Sequence, residues 1–278
     1  MDAAELTEVR LTVDDGVALL ELDRPDRRNA WSGRMAVEYR WALHLADTDP
    51  AARVVVVTGA GRDFCIGADT GAIETISGQG GAYTPERAAP APFPDGTPDH
   101  LRRNHAYPWT LSVPVIAAVN GACAGAGFVV ATYADIRIAA ADARIATSFA
   151  GLGLPAEFGA GWVLPRLVGV PNALQMLLDP AAMSAARAAE LGWVQHVVPG
   201  DQLVAEAVVL ARHLARTSSA DSLRWMKRSV LIDAGGDFGD AYTRSVDEMD
   251  EALRRPDLRA AITARREGRR HDFLVPGD

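Results

Sequence analysis

Cysteine is almost absent from this 278-residue chain, which carries only Cys65 and Cys123. Two cysteines make no disulfide framework and suit a reducing compartment. Neither has a histidine nearby in sequence to draw it into the thiolate form, so both read as small buried apolar groups. Long apolar runs are also missing. Hydrophobic residues make up 49% of the chain, but stretches such as Val115 to Val119 and Phe128 to Ala131 stop well short of the roughly 18 residues that a membrane span needs. Residues 1 to 10 carry Asp2, Glu5 and Glu8 without an apolar segment, so no secretory leader is expected and the expected location is cytoplasmic. Basic charge is scarce. A net charge of -8 argues against nucleic-acid binding, which wants a basic face. A small anionic ligand stays open wherever arginines cluster, as at Arg24, Arg27 and Arg28 and again at Arg265, Arg266, Arg269 and Arg270. Each cluster reads equally as solvated surface or as a phosphate contact. No spacing of His, Cys and carboxylates suggests a metal, and neither a P-loop nor a dinucleotide fingerprint is present.

What is present alternates short apolar strands with helical spacings. Residues 9 to 13 and 17 to 22 predict a hairpin about Asp14-Asp15-Gly16. Ser32 to Ala46 spaces Met35, Tyr39, Leu43 and Ala46 as one helix face, with Ser32 as its N-cap. Val54 to Thr58 and Val113 to Val119 read as strands, each running into a glycine-rich loop. The repeated order implies stacked β-β-α units with largely parallel strands. Residues 71 to 112 are rich in Gly and Pro and read either as a substrate-side lid carrying His100, His105, Tyr107 and Trp109 or as a surface excursion. Beyond Asp201 the spacing predicts helices over 203–214, 222–234, 242–254 and 258–266, with Pro256 between the last two. His196 and His213 read as ordinary strand and helix residues, Asp69 as a turn-stabilising side chain and Asp135 as structural.

The two glycine-rich loops, Asp63-Phe64-Cys65-Ile66-Gly67-Ala68-Asp69 and Asn120-Gly121-Ala122-Cys123-Ala124-Gly125-Ala126-Gly127, let backbone amides approach a ligand closely. They occur in order with Leu22 to Ala30, Pro114 to Gly121 and Leu164 to Gly169. In this combination the chain resembles the enoyl-CoA hydratase/isomerase (crotonase) superfamily from its first hairpin to Phe273. The resemblance implies an α/β fold, a spiral of β-β-α units over residues 1–200, with a C-terminal helical trimerisation region over 201–278. It implies a homotrimer or dimer of trimers acting on an acyl-CoA thioester, with no cofactor beyond the coenzyme A moiety of the substrate. The amides of Ile66 and Ala126 would form an oxyanion hole, Ala126 replacing a glycine, and the positive end of a helix from Ala126 to Thr132 would favour the oxyanion. The adenine would lie near Ile66, Gly67, Ala68 and Asp69. The phosphates would lie near Arg27 or Arg28 in the segment that ends at Ala30, and Phe273 would touch the nucleotide.

The chain departs from the hydratases of that family in one respect. Their two glutamates fall here on Val129 and Phe149. A carboxylate returns as Glu157, where the family's double-bond isomerases carry theirs. A single acid can remove a proton at one carbon and return it at another. Leu154, Pro155, Phe158 and Trp162 flank Glu157 and predict partial desolvation and a raised pKa. A plain helix-terminal acid ahead of a helix over 160–168 is the competing reading. The implied catalytic set is Glu157, Ile66 and Ala126. Hydration, dehalogenation or C-C cleavage assisted by His100, His105 or Tyr107 remains an alternative, as does a thioester binder without catalysis. His105 comes first among these lid groups because a free imidazole titrates near neutrality.

Overall fold

The computed structural model describes residues 1–69 and 90–275, so residues 71–89 of the expected lid fall outside the described part. Strands β1 (Val9–Asp14) and β2 (Val17–Leu22) form the antiparallel hairpin, with Val9 opposite Leu22. Asp15 and Gly16 both have positive φ at its turn, the handedness that matches strand twist. Helix α1 (Gly33–Thr48) follows, its first turn closed by Met35 N donating to Ser32 Oγ at 2.9 Å. Then come β3 (Val54–Gly59), the short α2 (Tyr107–Thr110), β4 (Val115–Val119), β5 (Ala122–Ala124) and α3 (Ala126–Thr132). Next are β6 (Ile136–Ala140), β7 (Arg144–Ala146), α4 (Ala160–Val168), α5 (Val170–Leu178), β8 (Met183–Ser184), α6 (Ala185–Glu190) and β9 (His196–Val198). Helices α7 (Leu203–Thr217), α8 (Ala220–Leu231), α9 (Phe238–Arg254) and α10 (Pro256–Arg266) complete the chain.

The described strands fall into a larger sheet ordered β1-β2-β3-β4-β6-β9 and a smaller one ordered β5-β7-β8. After the first hairpin every pairing in the larger sheet is parallel. The chain passes from the larger to the smaller sheet at β4 to β5 and again at β6 to β7, which is the β-β-α repeat in three dimensions. Strands β3 and β4 are buried at every residue, as parallel strands covered on both faces must be. Helix α7 lies across this sheet on Leu203, Ala207, Ala211 and Ala215. Small side chains at every fourth position let its backbone come close.

Of the boundaries that differ from the sequence expectation, three have a plain local reason. Strand β4 begins at Val115 rather than Val113, because Pro114 has no N–H for the ladder and Val113 N donates instead to Asp47 at 3.2 Å. Helix α8 begins at Ala220 because Ser219 caps it, and α9 at Phe238 because Asp237 does. The C-terminal helices are tied to the core by Lys227, the only lysine in the chain. Its ammonium donates to Val113 O at 2.8 Å and pairs with Asp135 at 2.8 Å. Asp135 also accepts from Val115 N at 2.7 Å, which is the structural role expected of it. Among the described residues no helix is long and apolar enough to cross a membrane.

Candidate active site

The two glycine-rich loops are stitched together by backbone and side chain. Phe64 N donates to Asn120 O at 2.7 Å, Cys65 N to Ala122 O at 3.1 Å, and Ala124 N returns to Cys65 O at 2.9 Å. Asn120 accepts from Gly59 N and donates to the carbonyls of Gly59 and Gly61. Asp63, buried, accepts from Ala122 N at 2.8 Å and from Arg28 Nε at 2.7 Å. Burial opposes its charge, but the Arg28 guanidinium and the Ala122 amide outweigh that and hold the carboxyl below its usual range. A β-carbon on Gly127 would stand 2.3 Å from Cys65 O, so only glycine permits the loops this approach. Beyond the stitch, Gly67 and Gly125 take positive φ of 105° and 50° and turn the chains away.

This leaves two amides over. Neither Ile66 N nor Ala126 N donates to an acceptor among the described residues. Ala126 opens α3, where an amide has no intrahelical acceptor, and no side chain caps that end. The far end of α3 is closed by Arg137, which sequence reasoning did not single out. Its buried guanidinium donates to Ala134 O at 2.6 Å and to Trp193 O at 2.6 Å. A cation beneath the last carbonyls of the helix suits their negative end, and burial brings its pKa down to about 10.

Glu157 lies on a short 3-10 turn, Glu157–Gly159, just ahead of α4. It is half-buried, and burial alone raises its carboxyl above the ordinary value. Of its expected flanks, Phe158 is half-buried, but Leu154 and Trp162 are exposed. Phe158 and Gly159 have φ of 49° and 82°. This conformation is held by the Tyr133 hydroxyl, which donates to Phe158 O at 2.7 Å. Behind Phe158 stands an apolar cluster of Leu101, Ala106, Trp109, Val129, Tyr133, Phe149, Ala160 and Val163. Val129 and Phe149, the two positions that lack a carboxylate, are 0% and 3% exposed, so apolar side chains close both against water. The lid residues divide. Tyr107 and Trp109 are buried and His100 is exposed. The His105 ring stacks on Phe158 at 3.9 Å, and burial takes its pKa down to about 4. The near-neutral titration expected of His105 is therefore not found, because the charged imidazolium would be desolvated.

Where the resemblance puts the nucleotide, Trp31 N donates to Gly67 O at 2.8 Å and Asp69 N to Trp31 O at 3.0 Å, so the segment ending at buried Ala30 runs beside Ala68. Arg24 pairs with Asp69 at 3.1 Å and with Glu8 at 3.3 Å, so the Asp69 side chain ties this loop to the segment after β2. Arg28 is engaged by Asp63, whereas exposed Arg27 makes no ion pair among the described residues. Phe273 is placed elsewhere, lining a small cavity with Trp225, Arg255 and Leu258. Within one chain the structure thus gathers Arg27, Arg28, Ala30 and residues 66 to 69 but not Phe273. A cavity of about 510 Å³ between the 94–98 segment and helices α8 and α9 touches neither the two amides nor Glu157. Cys65 and Cys123 are buried, and burial lifts the Cys65 thiol to about 12, which leaves it without nucleophilic character. Asn120 and Asp63 carried no sequence signal beyond their place in the two loops.

Comparison with known proteins gives a consistent result. A family profile described as enoyl-CoA hydratase/isomerase matches residues 12–235. A protein of Rhodobacter capsulatus named "Probable enoyl-CoA hydratase" is 37% identical over 214 residues, 76% of this chain and 77% of that one. The 1,2-epoxyphenylacetyl-CoA isomerase of Escherichia coli is 35% identical over 222 residues, 78% of this chain and 79% of its own. A solved enoyl-CoA hydratase/isomerase of Mycobacterium paratuberculosis superposes with a TM-score of 0.81 at 30% identity, covering 96% of this chain and 98% of the other.

Proposed function

The chain belongs to the enoyl-CoA hydratase/isomerase family, and from that premise we propose that it is an acyl-CoA double-bond isomerase with Glu157 as its single acid and base. The observation that carries the proposal is the contrast between one desolvated carboxylate and two apolar side chains. Glu157 is raised by burial, while Val129 and Phe149, the positions on which the resemblance puts a hydratase's two acids, are buried and apolar. In the proposed reaction the Glu157 carboxylate takes a proton from a carbon of the acyl chain. The electron pair left behind delocalises into the thioester carbonyl, and the oxyanion accepts hydrogen bonds from the amides of Ile66 and Ala126. Both amides lack other acceptors among the described residues, so they are available to serve, and one such donor is worth about 2.7–4 kcal/mol of barrier. Glu157 then returns the proton at a different carbon, and the C=C bond has moved with no net gain or loss of atoms. Desolvation suits a general base by bringing its pKa nearer the working pH.

Arg27, whose exposed side chain makes no ion pair or hydrogen bond among the described residues, is the residue we assign to the coenzyme A phosphates. Phe273 and the arginines from Arg265 to Arg270 would reach a nucleotide only in a neighbouring subunit of a homotrimer. Turnover of crotonyl-CoA against proton exchange in D2O tests the reading. Exchange with slow hydration supports it, and hydration at the rate of a two-glutamate enzyme overturns it. Glu157→Gln should keep thioester binding and lose exchange by about 100-fold to 10,000-fold.

A further inference from the structure

His105 belongs to neither half of the proposed chemistry, yet it is held with care. It sits on the 3-10 turn Asn104–Ala106, which is fastened to α1 on one side by Arg40 Nη1 donating to Asn104 at 2.7 Å. On the other side buried Tyr107 donates its hydroxyl to Pro92 O at 2.9 Å. The imidazole lies between two parts of the site. One face stacks on Phe158, the neighbour of Glu157, with centroids 3.9 Å apart and planes 20° apart. Trp31, whose backbone pairs with the loop at Gly67 and Ala68, stands 6.3 Å away. Buried in this position, Nε2 has no hydrogen-bond partner among the described residues. A buried polar atom without a partner is costly and calls for an explanation.

We propose that His105 is a specificity residue of the acyl site, whose Nε2 hydrogen-bonds an oxygen substituent, a hydroxyl first of all, on the acyl group of the thioester. The inference rests on the reading above that these loops hold the thioester, and it adds the chemical class of the acyl group. A hydroxyl both donates and accepts, so it satisfies Nε2 in either neutral tautomer. The ring stays neutral at ordinary pH because burial disfavours its charge, so it recognises a polar uncharged group rather than a carboxylate. A plain alkyl chain would leave Nε2 unpaired, and sites built around a hydrogen bond discriminate strongly against ligands that lack the partner.

The test is calorimetric binding of butyryl-CoA, both enantiomers of 3-hydroxybutyryl-CoA, and 4-hydroxybutyryl-CoA to the wild type, His105→Phe and His105→Gln. Phe keeps a stacking ring without the nitrogen, and Gln restores a polar group near the position of Nε2. At least one hydroxylated thioester should bind the wild type about 10-fold more tightly than butyryl-CoA. In H105F that ratio should fall to near one with butyryl-CoA bound as well as before, and H105Q should recover part of it. If H105F folds poorly, His105→Leu also removes the nitrogen and is read in the same way. The proposal is overturned by a wild type with no preference, by a preference that survives H105F, or by equal weakening of every ligand. Binding is measured without turnover, so a failure of the Glu157 reading, seen as undiminished proton exchange in E157Q, is distinguishable from a failure here.

Discussion

At the scale of the residue, Glu157 couples function to stability. Its folded-state pKa is raised by burial, so ionising it costs the folded protein more than the unfolded chain. Below the unfolded value near 4.3 both states are protonated and no cost exists. The cost grows as pH rises from there through the raised folded value and is full above it. Glu157→Gln should therefore melt at a higher temperature than wild type at pH 7, with the gap closing as pH is lowered. A melting series over pH 4 to 8 checks this, and an unchanged or lower melting point at pH 7 contradicts it. The activity of the wild type should fall as pH drops through the same raised value, because the base is then protonated. Gly127 makes the complementary point. With Cys65 O 2.3 Å from the place of its absent β-carbon, Gly127→Ala must push the two loops apart. Overpacking of this kind costs about 1–3 kcal/mol. Displacing the amides should lower kcat by about 100-fold, measured beside thioester affinity to separate chemistry from binding.

At the scale of the element, α1 shows how one buried charge orients a helix. Glu38 is 0% exposed and accepts from Thr7 N at 2.8 Å, Thr7 Oγ1 at 3.0 Å, Glu8 N at 2.7 Å and Arg34 Nε at 2.6 Å. Burial works against the carboxylate, but Arg34 and the amides of Glu8 and Thr7 prevail and lower its pKa. The linkage has the opposite sign to that of Glu157. The stabilisation is present above the unfolded value and is lost as pH falls through the lowered folded value. Glu38→Ala should cost about 2–4 kcal/mol at pH 7, because buried amides lose a charged acceptor. Urea unfolding at pH 7 and again at low pH would show that cost shrinking once the wild-type carboxyl is protonated.

At the scale of the whole molecule, the exposed apolar surface is the informative feature. Phe238, Tyr242, Val246, Met249 and Leu253 recur along one side of α9 and are 45–81% exposed, an arrangement a lone soluble subunit rarely shows. If the homotrimer proposed above forms on this helix, Met249→Asp combined with Val246→Asp should shift the sedimentation mass toward a single subunit. A variant that remains a trimer would place the contact elsewhere.

Much of this protein was legible in its sequence, for reasons that are local. The hairpin about Asp15 and Gly16, the Ser32 cap and the apolar strands over 54–58 and 113–119, the second two residues shorter than expected, follow from periodicity, turn residues and caps, all set by neighbours in the chain. The identity of the two glycine-rich loops was legible too, because close approach demands glycine at fixed places. What only the tertiary structure decided depends on groups far apart in sequence. Among the described residues Ile66 N is left over because Cys65, Ala122 and Ala124 consume one another's hydrogen bonds, and Ala126 N because it opens α3. His105 loses its near-neutral titration because Phe158 covers it, and Arg137 closes α3 through carbonyls that include Trp193 O. Phe273 ends beside Trp225 and Leu258 rather than near Gly67, because its N–H is anchored on Arg216 O at the end of α7. Burial and long-range pairing set these outcomes, and neither is a property of a segment read alone.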